Sequence, residues 1–259
     1  MDREIYDIEM ELIARERYTD TLALAHYKPA DERVSLPPFM PGQFVQIWIK
    51  DCNGVMLRRP ISIFDGDTQH LSLLIQDAGR GTHKLLNDPL ESHYQMLLPL
   101  GNSFSLPELG TSPLLIGGGV GVAPLYALGK ALKAKGLIPT FLLGARSHSL
   151  FPNLDLFRAL GTVHITTEDN SLGEKGYVTN HSCLTQHQYT NIYTCGPTPM
   201  MKAVSRWAKA HRIPTQASLE NHMACGIGVC LCCVEPTIKG HRTVCQDGPV
   251  FSTDQLLWD

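Results

Sequence analysis

In FVQIWI (44–49), Val45, Ile47 and Ile49 alternate with Phe44, Gln46 and Trp48, and LSLLIQ (71–76) alternates around Leu71, Leu73 and Ile75. A two-residue period belongs to a strand with one face on a core. PPFMPGQ, DCNG and FDGD separate these runs with turn chemistry. Short strands at this spacing predict an antiparallel β-barrel over residues 1–108. Near its end DAGRGTHKLL turns from glycines into a helical pattern at Leu85 and Leu86.

Past LPELGTS the period changes. PLLI is a compact apolar strand, GGGVGVAP a glycine-rich turn, and LYALGKALKAKG places Leu125, Leu128 and Leu132 on one helical face, with Pro124 in the first turn. TFLLGAR, NLDLFRAL, VHITTED, NIYTCGP and PMMKAVSRWAKAHR continue as strand, helix, strand, strand, helix. Alternating elements of this kind predict an α/β domain with a parallel sheet over 109–215. A ligand would sit at the carboxyl ends of its strands. Gly118, Gly119 and Gly121 form the turn where nucleotide phosphates would approach the backbone, in a pattern that ends in Pro124 and so departs from a strict G-x-G-x-x-G.

The remaining residues, 216–259, hold five of the eight cysteines, all between Cys225 and Cys245. Cys225, Cys230, Cys233 and Cys245 give C-x4-C-x2-C-x11-C, whose first three members have the spacing of plant-type 2Fe-2S ligands. Gly226 and Gly228 let the loop curl round inorganic sulfide with its N–H groups inward. A zinc knuckle is the competing reading, although only Cys230 and Cys233 form a short hook. Cys232 is a fifth thiol beside Cys233 with no assigned part, and Cys52 and Cys183 have no company of their own. The apolar Ile227, Val229 and Leu231 are expected to pack round the metal.

Composition narrows the classes further. With 22 basic and 25 acidic side chains the formal charge is -3, which gives no reason to expect nucleic acid as a partner. No run of 18 apolar residues suggests a membrane span, and MDREIYDIEMELIARE is too charged for a secretory leader, so a cytoplasmic protein with reduced thiols is expected. The eleven histidines show no metal-ligand spacing.

Two barrel segments carry candidate chemistry. Arg59-Pro60-Ile61-Ser62 puts a guanidinium fork and a hydroxyl on one strand, suited to a phosphate or equally to a solvated strand face. Gly79, Gly81 and Thr82 precede a helix start, where free N–H groups attract anions, though glycines there also simply turn the chain. With PGQFV (41–45), these segments resemble the ferredoxin-NADP reductase superfamily. That resemblance implies FAD on the barrel, with Arg59 at the pyrophosphate, Ser62 near the ring, and Leu74, Ile75 and Gln76 along the flavin. Ile61 stands where many relatives stack a tyrosine. It also implies that Cys195, Gly196 and Pro197 sit beside the nicotinamide of NAD, with Cys195 as the catalytic-site thiol. Arg146, after the second sheet strand, does not decide between NAD and NADP.

Within the superfamily, RRPISI, GGGVGVAPLYAL, YTCGPTPMMKAV, SLENHMACGIGVCLCCV and VCQDGPVF are similar to the electron-transfer subunits of type B dihydroorotate dehydrogenases, in that family's order. The resemblance implies an oxidoreductase subunit holding FAD and a 2Fe-2S cluster. Its partner would be an FMN-containing catalytic subunit, in a heterotetramer of two plus two, with electrons passing to NAD+. The alternatives are a flavin and iron-sulfur reductase subunit of a hydrogenase, sulfur reductase or transhydrogenase complex, or a zinc-stabilised nucleotide-binding module.

Overall fold

A computed structural model describes residues 4–258, so the outermost ends of the first and third predicted domains lie outside the described residues. Six strands form a closed barrel: β1 (Tyr6–Thr19), β2 (Leu22–Pro29), β3 (Phe44–Ile47), β4 (Arg59–Gly66), β5 (Leu71–Gln76) and β6 (His93–Leu100), in the order β1-β2-β5-β4-β3-β6. Every neighbouring pair is antiparallel. Its interior is apolar, with Met10, Leu12, Val45, Ile47, Leu73 and Ile75 fully buried.

Helix α1 (Arg80–Asn87) packs over one end of the barrel, burying Leu85 and Leu86. A helix leaves its last carbonyls without partners, and here two arginines of β1 supply them. Arg15 donates to the carbonyls of Leu85 at 3.0 Å and Asp88 at 2.8 Å, and Arg17 donates to that of Leu86. Positive charge at this end also suits the helix dipole, so α1 is anchored at its C-terminus while its N-terminus stays open.

The second layer system is a seven-stranded sheet. It comprises β7 (Pro113–Gly118), β8 (Thr140–Ala145), β9 (Thr162–Thr167), β10 (Glu174–Lys175), β11 (Asn191–Cys195), β12 (Thr215–Ser218) and, later in the chain, β15 (Val250–Ser252). Their order is β10-β9-β8-β7-β11-β12-β15, parallel throughout except where β15 runs antiparallel to β12. Helices α2 (Ala123–Ala134), α3 (Leu154–Arg158), α4 (Cys183–Gln186) and α5 (Thr198–Ala210) connect the strands. The chain thus passes residue 215 without leaving the sheet. After β12 it makes the cysteine loop and a hairpin, β13 (Val234–Thr237) with β14 (Gly240–Thr243), and then returns to close the sheet edge.

Barrel and sheet share one core. Leu24, Phe64 and Leu74 from the barrel pack with Leu115, Val122 and Leu125. The Phe64 and Tyr126 rings stack at 4.2 Å, and Lys130 of α2 holds Asp65 of β4 at 2.6 Å. No helix among the described residues is long and apolar enough to cross a membrane.

Candidate cofactor and electron-transfer site

The two barrel segments singled out in the sequence meet in space. A methyl group on Gly81 would lie 2.9 Å from Arg59 Nε, so the missing side chain lets the guanidinium rest against the first turn of α1. No side chain caps that turn, and a methyl on Gly79 would meet nothing within 4 Å. A cationic fork beside open helix N–H groups fits a pyrophosphate. Arg59 also donates to the carbonyl of Leu57 at 2.7 Å, which holds it at this end of the strand. The neighbouring Arg58 is occupied elsewhere, paired with Asp7 at 3.1 Å and donating to the Gln95 carbonyl at 2.9 Å.

Other residues on β4 and β5 divide by face. Pro60, Ile61 and Ser62 are half-buried, opposite Gln46, Val45 and Phe44 of β3. Leu74 is buried in the shared core and Gln76 lines a cavity at the carboxyl ends of the parallel strands. Ile75 points into the barrel interior, so its backbone rather than its side chain faces outward. Thr82 has its hydroxyl committed to the loop, accepting from Ala78 N–H at 2.8 Å and donating to the Gly79 carbonyl at 3.0 Å, so its backbone is the part free for a phosphate.

A cavity of about 640 Å³ opens at the carboxyl ends of the parallel strands, bounded by Gln76, Gly118, Gly119, Arg146, Glu168 and Pro197 among others. The glycine turn is also a packing element. Gly119 has open space around it, whereas a methyl on Gly121 would lie 2.6 Å from the Gly196 backbone. Gly118 likewise packs against Pro197 and Met200. Gly121 and Gly196 therefore clasp the glycine turn and the C-G-P turn together, fixing the position of Cys195.

The Cys195 side chain is fully buried, and burial holds its pKa well above the ordinary thiol value, with nearby Glu220 adding to the effect. It is a neutral thiol, donating to Glu220 Oε1 at 3.7 Å. Glu220 is exposed as a residue, but its carboxyl turns back into poorly solvated ground and burial raises its pKa. Sequence reasoning missed Glu220. Its signal was available, for it follows β12 two residues after Ser218, which lies opposite Cys195 in the sheet.

The cysteine loop has the donor pattern of a cluster cradle. Gly228 N–H points at Cys245 Sγ (3.1 Å), Ile227 N–H at Cys225 Sγ (3.5 Å), and Cys245 N–H at Cys233 Sγ (3.4 Å). N–H groups aimed at sulfur favour thiolates and a negatively charged cluster. Burial opposes the Cys225 thiolate, but N–H groups of Ile227 and Cys230 outweigh it and bring the pKa down to about 6. Burial, with Cys233 alongside, pushes Cys245 up to about 12, so a metal held there would have to displace that proton. Cys233 and Cys245 are buried in one apolar cluster with Phe44, whereas Cys230 and Cys232 are exposed. Ile227, Val229 and Leu231 do not pack round a metal as expected. They are 44%, 71% and 64% exposed, because the loop turns its N–H groups inward and its side chains outward.

One histidine cluster escaped the spacing argument. Ligand atoms of His164, His181 and Cys183 all lie within 4.8 Å of one another. His181 is already engaged locally, since its Nδ1 accepts from Cys183 N–H at 3.0 Å and its Nε2 faces Glu174 at 3.5 Å.

Comparison with known proteins agrees with this geometry. Residues 220–257 match the family described as the iron-sulfur cluster binding domain of dihydroorotate dehydrogenase B. The chain is 37% identical over 225 residues to the dihydroorotate dehydrogenase B (NAD(+)) electron transfer subunit of Shouchella clausii, covering 84% of this chain and 86% of that one. It is 40% identical to the protein of the same name from Listeria welshimeri, covering 83% and 87%. Among solved structures it resembles a chain of an NADH-dependent reduced ferredoxin-NADP oxidoreductase studied for flavin-based electron bifurcation. That match has a TM-score of 0.86 at 28% identity and covers 96% of this chain and 90% of the other.

Proposed function

The chain belongs to the family of dihydroorotate dehydrogenase B electron transfer subunits, and from that premise we propose that it relays electrons from a dihydroorotate-oxidising catalytic subunit to NAD+. A flavin accepts electrons singly and gives them up as a hydride pair, so FAD placed between a 2Fe-2S cluster and a nicotinamide converts one currency into the other. The observation that carries this reading is the common frame of the three sites. β4 bears Arg59 and Ser62, its partner β3 packs Phe44 against Cys233 and Cys245, and the C-G-P turn meets the glycine turn above the sheet.

Each residue's part follows from its surroundings. Arg59 and the open turn of α1 would hold the FAD pyrophosphate, and Ser62 with the backbone of 74–76 would flank the ring. Gly119 leaves room for the nucleotide phosphates. Neutral Cys195, backed by Glu220, would set the nicotinamide's place without competing as a nucleophile. Cys225, Cys230, Cys233 and Cys245 would hold the two irons, with Cys232 outside the set.

The exposed Ile227, Val229 and Leu231 neighbour the exposed Cys230 along the loop. An apolar rim about a one-electron centre suits docking of the catalytic subunit, which we take to carry FMN and to assemble two plus two with this chain in the cytoplasm. Relatives sharing one name over most of the chain favour this partner over those of hydrogenase, sulfur reductase or transhydrogenase complexes. The test is co-expression with the catalytic subunit. The purified complex should show flavin and iron-sulfur absorption and form NADH from NAD+ in the presence of dihydroorotate. A complex with both flavins and the cluster intact but no such activity would overturn the assignment.

A further inference from the structure

Strand β3 looks both ways. Val45 and Ile47 point into the barrel core, while Phe44 and Gln46 point out towards the cysteine loop. For Phe44 this is ordinary packing. For Gln46 it is costly, because the residue is 0% exposed and neither side-chain amide atom has a partner among the described residues. A buried amide without partners costs about 1–3 kcal/mol, and a strand buried on both faces would more simply carry an aliphatic residue there.

What lies against the amide is the cluster loop. Gly226, next to Cys225, has a φ of +74°, and a methyl group placed on it would fall 2.9 Å from Gln46 Cγ and 3.0 Å from Nε2. The backbone therefore sits directly on the amide, with the nitrogen, the donor end, turned towards the loop. Within the sheet, Gln46 is the lateral neighbour of Pro60 on the strand that bears Arg59 and Ser62.

We propose that Gln46 donates its side-chain N–H to a sulfur of the 2Fe-2S cluster at the Cys225 end of the loop, and so sets the cluster's reduction potential. The inference rests on the reading of the four cysteines as a cluster site. A donor to sulfur stabilises the reduced, more negative state and raises the potential. The surrounding N–H groups of Ile227 and Gly228 do the same from the backbone, and Gln46 is the contribution from the barrel.

The experiment uses the assembled complex with its cofactors. Gln46→Met keeps the length and bulk of the side chain but removes the donor. The cluster midpoint, from an EPR-monitored redox titration, should shift downwards while the FAD midpoints stay in place. A full complement of cluster with an unmoved midpoint, or a shift confined to FAD, would overturn the proposal. Wild-type complex labelled with ¹⁵N in glutamine side chains supplies a test independent of the variant's folding. The reduced cluster should show hyperfine coupling to a glutamine side-chain nitrogen, and its absence would equally overturn the proposal. A wild-type complex giving no 2Fe-2S EPR signal on reduction would remove the cluster reading itself, a distinguishable failure.

Discussion

Replacing Gly121 by alanine probes the clasp between the two turns. The added methyl would lie 2.6 Å from both Cα and N of Gly196 and 2.7 Å from the carbonyl carbon of Cys195. These are backbone atoms, so no side-chain rotation relieves the contact. To restore ordinary van der Waals separation near 3.4 Å, the C-G-P turn must retreat by about 0.8 Å. Overpacking of this kind costs about 1–3 kcal/mol. At roughly 2–4 °C per kcal/mol for a chain of this size, the melting temperature should fall by about 2–12 °C. Function should suffer more than stability, since a displacement of about 1 Å at a reacting centre costs on the order of 10²-fold in rate. Reduction of bound FAD by NADH, followed by stopped-flow flavin absorbance, should slow about 10- to 100-fold, with FAD and iron contents unchanged. A Gly121→Ala protein with wild-type melting and a reduction rate within about twofold of wild type would refute the clasp.

Other expectations follow from the same structure. Cys233→Ser should abolish the normal cluster spectrum and Cys232→Ser should leave it intact by visible and EPR spectroscopy, since Cys233 is buried beside Cys245 and Cys232 is exposed. Arg59→Ala should weaken FAD retention about 10- to 100-fold, the worth of a charged hydrogen bond of about 1.5–3 kcal/mol, whereas Arg58→Ala should spare it; equilibrium dialysis separates them. Phe64→Ala should cost about 3–5 kcal/mol by denaturant unfolding, while Lys130→Ala, which breaks a partly exposed ion pair, should cost under about 1 kcal/mol. Burial lowers the pKa of His164 and His181 below the ordinary 6.5. Below that pH the unfolded chain therefore takes up protons that the folded chain refuses, and stability falls as pH drops from 6.5 towards the folded values. The slope should flatten in a His164→Asn, His181→Gln double variant; an unchanged slope would place the acid sensitivity elsewhere.

Much of this architecture could be read from the chain because its strands obey simple periods. The α/β elements were legible from apolar runs, the glycine turn and the C-G-P turn, and the candidate cluster ligands were singled out by spacing. β1 was not, because its charged residues obscure Met10 and Leu12 as the buried members, and bulges interrupt its register near Leu12 and Thr19. Alternation separates Gln46 from the barrel-core residues Val45 and Ile47 but does not reveal that the cysteine loop covers it. Three-dimensional neighbours account for the other omissions. Glu220 acquires meaning only from the pairing of Cys195 with Ser218, and Thr82 loses its hydroxyl to a loop contact that spacing does not reveal.

The return of β15 to the edge of β12 has a consequence for biogenesis. The cysteine loop leaves the sheet at Ser218 and rejoins it at Val250, so both of its ends are pinned by backbone hydrogen bonds that owe nothing to iron. A subunit that has not received its metal is therefore expected to keep the two ends of the cysteine loop side by side, so that iron meets a loop already closed at its base.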